Sequence, residues 1–151
     1  MKISDLLSPA DIMLDVRAKD KGRLLRELSA QAAAETGLKA DDVSEQIAKR
    51  EELGSTGVGN GVALPHARVR GLNAPFGLLA RLRQAIDFAA VDDEPVDIVF
   101  LLLLPEAANG VQLNALACVA RVLRDPGVLQ RLRRASDGEA LYRVIAEPSA
   151  V

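Results

Sequence analysis

The chain has one histidine, His66, and it ends a glycine-rich run: Gly54-Ser55-Thr56-Gly57-Val58-Gly59-Asn60-Gly61-Val62-Ala63-Leu64-Pro65-His66. A lone histidine is more often structural than reactive, but three local features point to chemistry here. Val62 to Leu64 reads as a strand that ends at Pro65, and α/β folds place their ligands at strand ends. The glycines let backbone N–H groups approach an anion closely. Arg50 closes the preceding helix, near enough in sequence to reach back over the imidazole. The alternative for Arg50 is a helix-end charge paired with Glu51 or Glu52.

Other chemistries lack their residues. A structural zinc site needs about four Cys or His ligands, and this chain has two such residues, His66 and Cys118. The glycine run lacks the Gly-Lys-Ser/Thr ending of a P-loop and does not fit G-x-G-x-x-G. His66 could act as a base for a serine, yet no G-x-S-x-G turn exists. No metal and no cofactor is expected. Lys+Arg 19 against Asp+Glu 21 argues against a general nucleic-acid binder. Arg121, Arg124, Arg131, Arg133 and Arg134 read as a solvated helix face. Cys118 lies in an apolar helical pattern and reads as a buried thiol. A single cysteine cannot form an internal disulfide, which fits a reducing compartment.

The elements that must position His66 follow from pattern. With 151 residues, 49% of them hydrophobic, the chain is expected to form one domain over 1–151, with its core in about 3–147. Ile3 to Leu7 reads as a short helix and Ile12 to Val16 as a strand. Asp20 caps a helix that carries Leu24, Leu25, Leu28 and Ala32 on one face and stops at Gly37. Asp42 and Glu45 have capping-box spacing for a second helix running to about Leu53. Phe76 to Arg83 reads as a strand. Val96 to Leu104 reads as a central strand covered on both faces, because it is apolar throughout apart from Asp97. That run is too short to cross a bilayer as a helix. Met1 to Leu7 lacks the charged start and apolar run of a signal peptide, so a soluble cytoplasmic protein is expected. Three helices finish the chain, with Asn109 a possible cap of the first and Asp137 of the last. The tail after Glu147 is expected to fray. Helices on either side of a block of strands argue for a three-layer α/β/α sandwich.

The segment from Arg50 to His66 resembles the phosphorylation-site segment of the mannitol/fructose-type IIA family of the bacterial phosphotransferase system, above all its nitrogen-related branch. ISDLLSP near the start, PVDIVFLLLLPE and the closing EALYRVI are similar to the family too. The resemblance implies a three-layer α/β/α sandwich around a mixed β-sheet. It implies that His66 is the phosphorylated residue and that Arg50 lies beside it. It also implies a phosphoryl-binding set that takes in Ser55, Thr56, Asn60 and Gln112. Asn60 stands where sugar-specific members often carry a glutamate. Gln112 stands where the family usually has a second histidine.

On this resemblance the chain is a phosphohistidine carrier rather than a turnover enzyme. Its donor would be a histidine phosphocarrier protein of the HPr or NPr kind, and its targets would be regulated proteins, with no nucleic acid and no membrane insertion. The alternatives are a sugar-specific IIA subunit that passes phosphate to a IIB domain, or a regulatory binding module that has lost phosphotransfer. The chemistry suits a carrier. A neutral imidazole is a good nucleophile, and its reference pKa leaves much of it neutral at pH 7. Its other nitrogen needs an acceptor to fix the tautomer, and a carbonyl of the glycine loop could serve. Phosphoryl transfer is promoted by positioning and positive charge, and the Arg50 fork suits phosphate oxygens. Asn60 reads equally as a turn residue, and Gln112 as a solvent-facing or capping residue.

Overall fold

The computed structural model describes residues 1–107 and 110–147. Two short 3-10 turns, Ile3–Asp5 and Pro9–Asp11, lead into strand β1 (Ile12–Val16). Helices α1 (Lys21–Thr36) and α2 (Ala40–Glu52) come next, then strands β2 (Gly57–Gly59), β3 (Val62–Ala63), β4 (His66–Val69), β5 (Phe76–Ile86) and β6 (Val96–Pro105). Helices α3 (Val111–Leu123), α4 (Pro126–Arg134) and α5 (Gly138–Ala146) complete the described chain.

The sheet is mixed. Its order is β1-β5-β6-β3-β2, with β4 also paired to β6. β6 runs antiparallel to β5 and parallel to β3 and β4. Its side chains alternate between two cores, as the period of a strand requires. Val99, Leu101 and Leu103 pack with Leu24, Leu28, Val43 and Ile47 of α1 and α2. Ile98, Phe100, Leu102 and Leu104 pack with residues of α3, α4 and α5. Both faces are therefore covered, which explains the apolar run Ile98 to Leu104 and gives the α/β/α layering.

Local signals set most boundaries. Asp20 accepts from the Arg23 backbone N–H at 2.8 Å and starts α1, and Gly37 ends it at φ 78°. Asp137 caps α5 through the Ala140 N–H. Asp125 caps α4, with Pro126 as its first residue.

Four expectations need correction. The capping box at Asp42 and Glu45 does not form. α2 begins earlier, at Ala40 after Lys39, and Asp41 and Asp42 lie in its first turn, where negative charge suits the helix dipole. The Ile3–Leu7 helix is a 3-10 turn only. β5 runs on past Arg83 to Ile86. Finally, the strand before His66 does not stop for good at Pro65. Pro65 cannot donate, but its carbonyl accepts from Leu102 N–H at 2.9 Å. The chain thus stays beside β6, and β4 resumes in the register that β3 left, with Ala63 opposite Val99 and His66 opposite Leu102. The proposed cap Asn109 and the tail beyond Glu147 fall outside the described residues. The residue before α3 is Gly110, and it makes no side-chain cap.

Candidate functional site

His66 is the first residue of β4, and its backbone is fixed by pairing with β6. Its Nδ1 lies 2.8 Å from the carbonyl oxygen of Leu64. A carbonyl can only accept, so Nδ1 carries the hydrogen and Nε2 keeps its lone pair in the neutral ring. The acceptor belongs to the apolar end of the glycine-rich run, two residues before His66. The ring is half-buried. Burial is the main cause of a pKa below the ordinary histidine value of 6.5, and nearby Arg50 lowers it further; the Leu64 hydrogen bond and Glu51 act in the opposite direction. The neutral form, which is the nucleophile, is favoured.

Arg50 lies in the last turn of α2, where one guanidinium N–H donates to the Gly54 carbonyl at 2.9 Å. That bond ties the fork to the start of the glycine loop and leaves its other donors for a ligand. Arg50, His66 and Gln112 line one open cleft of about 430 Å³. Lys49 and Arg68 line it too, and among the described residues no carboxylate does. Two exposed leucines, Leu53 at 85% and Leu113 at 74%, stand at its rim. Gln112 occupies the first turn of α3, and its amide Nε2 donates to the Pro105 carbonyl at 3.0 Å. This ties the start of α3 to the end of β6 and leaves the second amide hydrogen free to act as a donor.

The other candidates stand elsewhere. Ser55 donates to the Phe88 carbonyl at 2.8 Å and accepts from the Gly57 N–H at 3.0 Å. Thr56 is buried, with its hydroxyl and its backbone N–H both on the Glu51 carboxylate. Glu51 in turn pairs with Lys21 at 2.7 Å. Ser55, Thr56 and Glu51 thus anchor the loop rather than line the cleft. Asn60 sits in the turn between β2 and β3, at φ 57° and followed by Gly61 at φ 78°. Two successive positive φ values are what a tight hairpin of this kind requires. The Asn60 backbone is pinned by Asp92 and Arg133, and the residue lines a different hollow.

The sequence alone does not single out Lys49, Arg68 and Leu53, and it offers Glu51 as a partner of Arg50, whereas Glu51 pairs with Lys21. Arg68 could have been singled out, since it lies two residues beyond His66 on a strand and so on the same face. That signal needs β4, which Pro65 concealed. Among the described residues no group of His, Cys, Asp and Glu could hold a metal ion. No helix among them is long and apolar enough to cross a membrane. A half-buried neutral imidazole with a free Nε2, set among cations in an open cleft, suits attack on an anionic electrophile such as a phosphoryl group.

Comparison with known proteins places the chain in a family and supports the fold. The chain is 46% identical over 150 residues to a nitrogen regulatory protein of Bradyrhizobium diazoefficiens, a match that covers 99% of this chain and 98% of the relative. It is 36% identical to a nitrogen regulatory protein of Pseudomonas aeruginosa, over 97% of this chain and 96% of that one. The crystal structure of the nitrogen regulatory protein IIA-Ntr from Neisseria meningitidis superimposes with a TM-score of 0.89 at 35% identity, covering 95% of this chain and 98% of that chain. The family described as "Phosphoenolpyruvate-dependent sugar phosphotransferase system, EIIA 2" matches residues 5–147. The chain belongs to that family.

Proposed function

We propose that this chain is a regulatory phosphocarrier of the nitrogen-related phosphotransferase branch, acting in the cytoplasm and taking a phosphoryl group on Nε2 of His66. The observation that carries this reading is the Nδ1 contact with the Leu64 carbonyl, which leaves Nε2 as the nucleophile inside an electropositive cleft. The donor is a histidine phosphocarrier protein of the HPr or NPr kind. The Nε2 lone pair forms the new N–P bond as the donor's N–P bond breaks, and the donor nitrogen keeps the bonding pair. The His66 ring then carries positive charge, and its Nδ1–H donates more strongly to Leu64. Arg50 offers a planar fork to the phosphoryl oxygens, Lys49 and Arg68 add positive charge, and the second amide hydrogen of Gln112 is a neutral donor.

Phosphorylation adds negative charge to a cleft rimmed by exposed Leu53 and Leu113. A partner that docks on those leucines would sense that change, and this is how the phosphorylated and free forms select different targets. The test is phosphotransfer from the phosphorylated upstream carrier, followed by intact-mass analysis at mildly alkaline pH. One phosphoryl group on the wild type and none on His66→Ala is the expected result. Label that survives in His66→Ala would overturn the assignment.

A further inference from the structure

A second hollow lies between the β2–β3 hairpin and the outer half of α3. Its volume is about 370 Å³, it is more enclosed than the His66 cleft, and the two share no lining residue. Val62, Leu64, Ala120 and Leu123 give it apolar walls, while Arg121 and Arg124 bring charge to it. Both arginines are exposed, and neither guanidinium has an ion-pair or hydrogen-bond partner among the described residues. Among the described residues no carboxylate lines the hollow. Residues three apart on a helix share a face, so the two like charges stand on one face of α3.

Small-molecule sites have this make-up: concave, mostly apolar, with a few polar groups gathered where they fix orientation. The hairpin wall is also braced in advance. Arg133 of α4 donates to the Asn60 carbonyl at 2.6 Å and to Asp97 at 2.9 Å, and Asp92 accepts from the Asn60 N–H at 3.0 Å. A wall held by its own protein need not be ordered by the ligand, which reduces the entropy lost on binding.

We propose that this hollow binds a small amphiphilic carboxylate. The apolar chain or ring packs between the hairpin and α3, and the carboxylate is held by Arg121 and Arg124. Charge complementarity selects an anion over a neutral or cationic compound, and the apolar walls select a body longer than acetate. Leu64 belongs to both regions: it lines this hollow, and its carbonyl holds His66 Nδ1. An occupant therefore abuts the segment that orients the imidazole. The site does not depend on the phosphocarrier reading.

Octanoate is the probe, titrated into the whole chain by calorimetry and by 1H–15N NMR, with octanol and acetate as the uncharged and the truncated comparisons. Saturable octanoate binding is expected, with amide shifts centred on Val58 to Leu64 and Ala117 to Arg124. Octanol and acetate should bind far more weakly. The Arg121→Gln/Arg124→Gln double variant should weaken octanoate by about tenfold or more, the usual effect of losing a charged hydrogen-bond partner. Ala120→Leu, which fills the apolar half, should weaken it independently, and the same NMR spectra report that each variant is folded. The proposal is overturned if octanoate shows no saturable response at these residues, if octanol binds as well, or if affinity is unchanged in both variants.

Discussion

Attack by His66 needs the neutral ring, and burial and then Arg50 are what lower its pKa below 6.5. The rate of phosphoryl uptake should therefore fall only on an acid limb lying below the ordinary histidine value, with a plateau above it. Arg50→Ala removes one lowering influence, so the limb should move up toward that value. It also removes the fork, so the plateau should drop by about tenfold or more. Arg50→Lys keeps the charge and should leave the limb near its wild-type position while restoring the plateau only in part. Quenched-flow transfer rates from about pH 5 to 8 read both effects, and a limb unmoved in Arg50→Ala would show that Arg50 does not act on the ring. Gln112 makes a related case. Its amide cannot titrate, so Gln112→His should add a second inflection between about pH 6 and 8. Gln112→Ala should slow transfer without changing the shape of the profile. Identical rates and profiles in all three forms would confine Gln112 to its bond with Pro105.

The strands and helices that hold these side chains were legible to different degrees, for physical reasons. β1 and α1 stood out because Asp20 caps and Gly37 stops with side-chain and backbone chemistry that is local in sequence. β6 stood out because the run from Ile98 to Leu104, covered on both faces, has no polar interruption. Phe100, fully buried within it, should cost about 3–5 kcal/mol on substitution by alanine, read from denaturant unfolding. An unchanged midpoint would mean the strand's burial is misassigned. β2 and β4 were hidden. Glycine density masked β2, although the Asn60–Gly61 pair was a hairpin signal in plain view. Pro65 masked β4, because a missing N–H reads as a strand end, whereas here the bond across to Leu102 uses the carbonyl instead. The role of Ser55 and Thr56 could not be read from the motif. Their hydroxyls are consumed by Phe88 and Glu51, and Phe88 lies far along the chain.

In the whole molecule, the cleft forms where three distant segments meet: the end of α2 with Arg50, the start of β4 with His66 and the start of α3 with Gln112. The sheet brings them together because β4 runs beside β6, and the Gln112 bond to Pro105 ties the end of β6 to α3. The motif joined Arg50 to His66 in sequence, and the resemblance added Gln112. Lys49 became visible only with the packing, since no pattern distinguishes it from a solvated helix cation, and Arg68 only once β4 put it on the face of His66. The central claim is that this assembly presents Nε2 of His66 to the phosphoryl donor while Leu64 holds Nδ1. Long-range 1H–15N NMR on the phosphorylated chain tests it most directly, because it distinguishes the two ring nitrogens. Phosphorus on Nε2, with the Nδ1 hydrogen retained, is the result predicted. Phosphorus on Nδ1, or an unmodified His66 ring in a chain that carries a phosphoryl group, would contradict it.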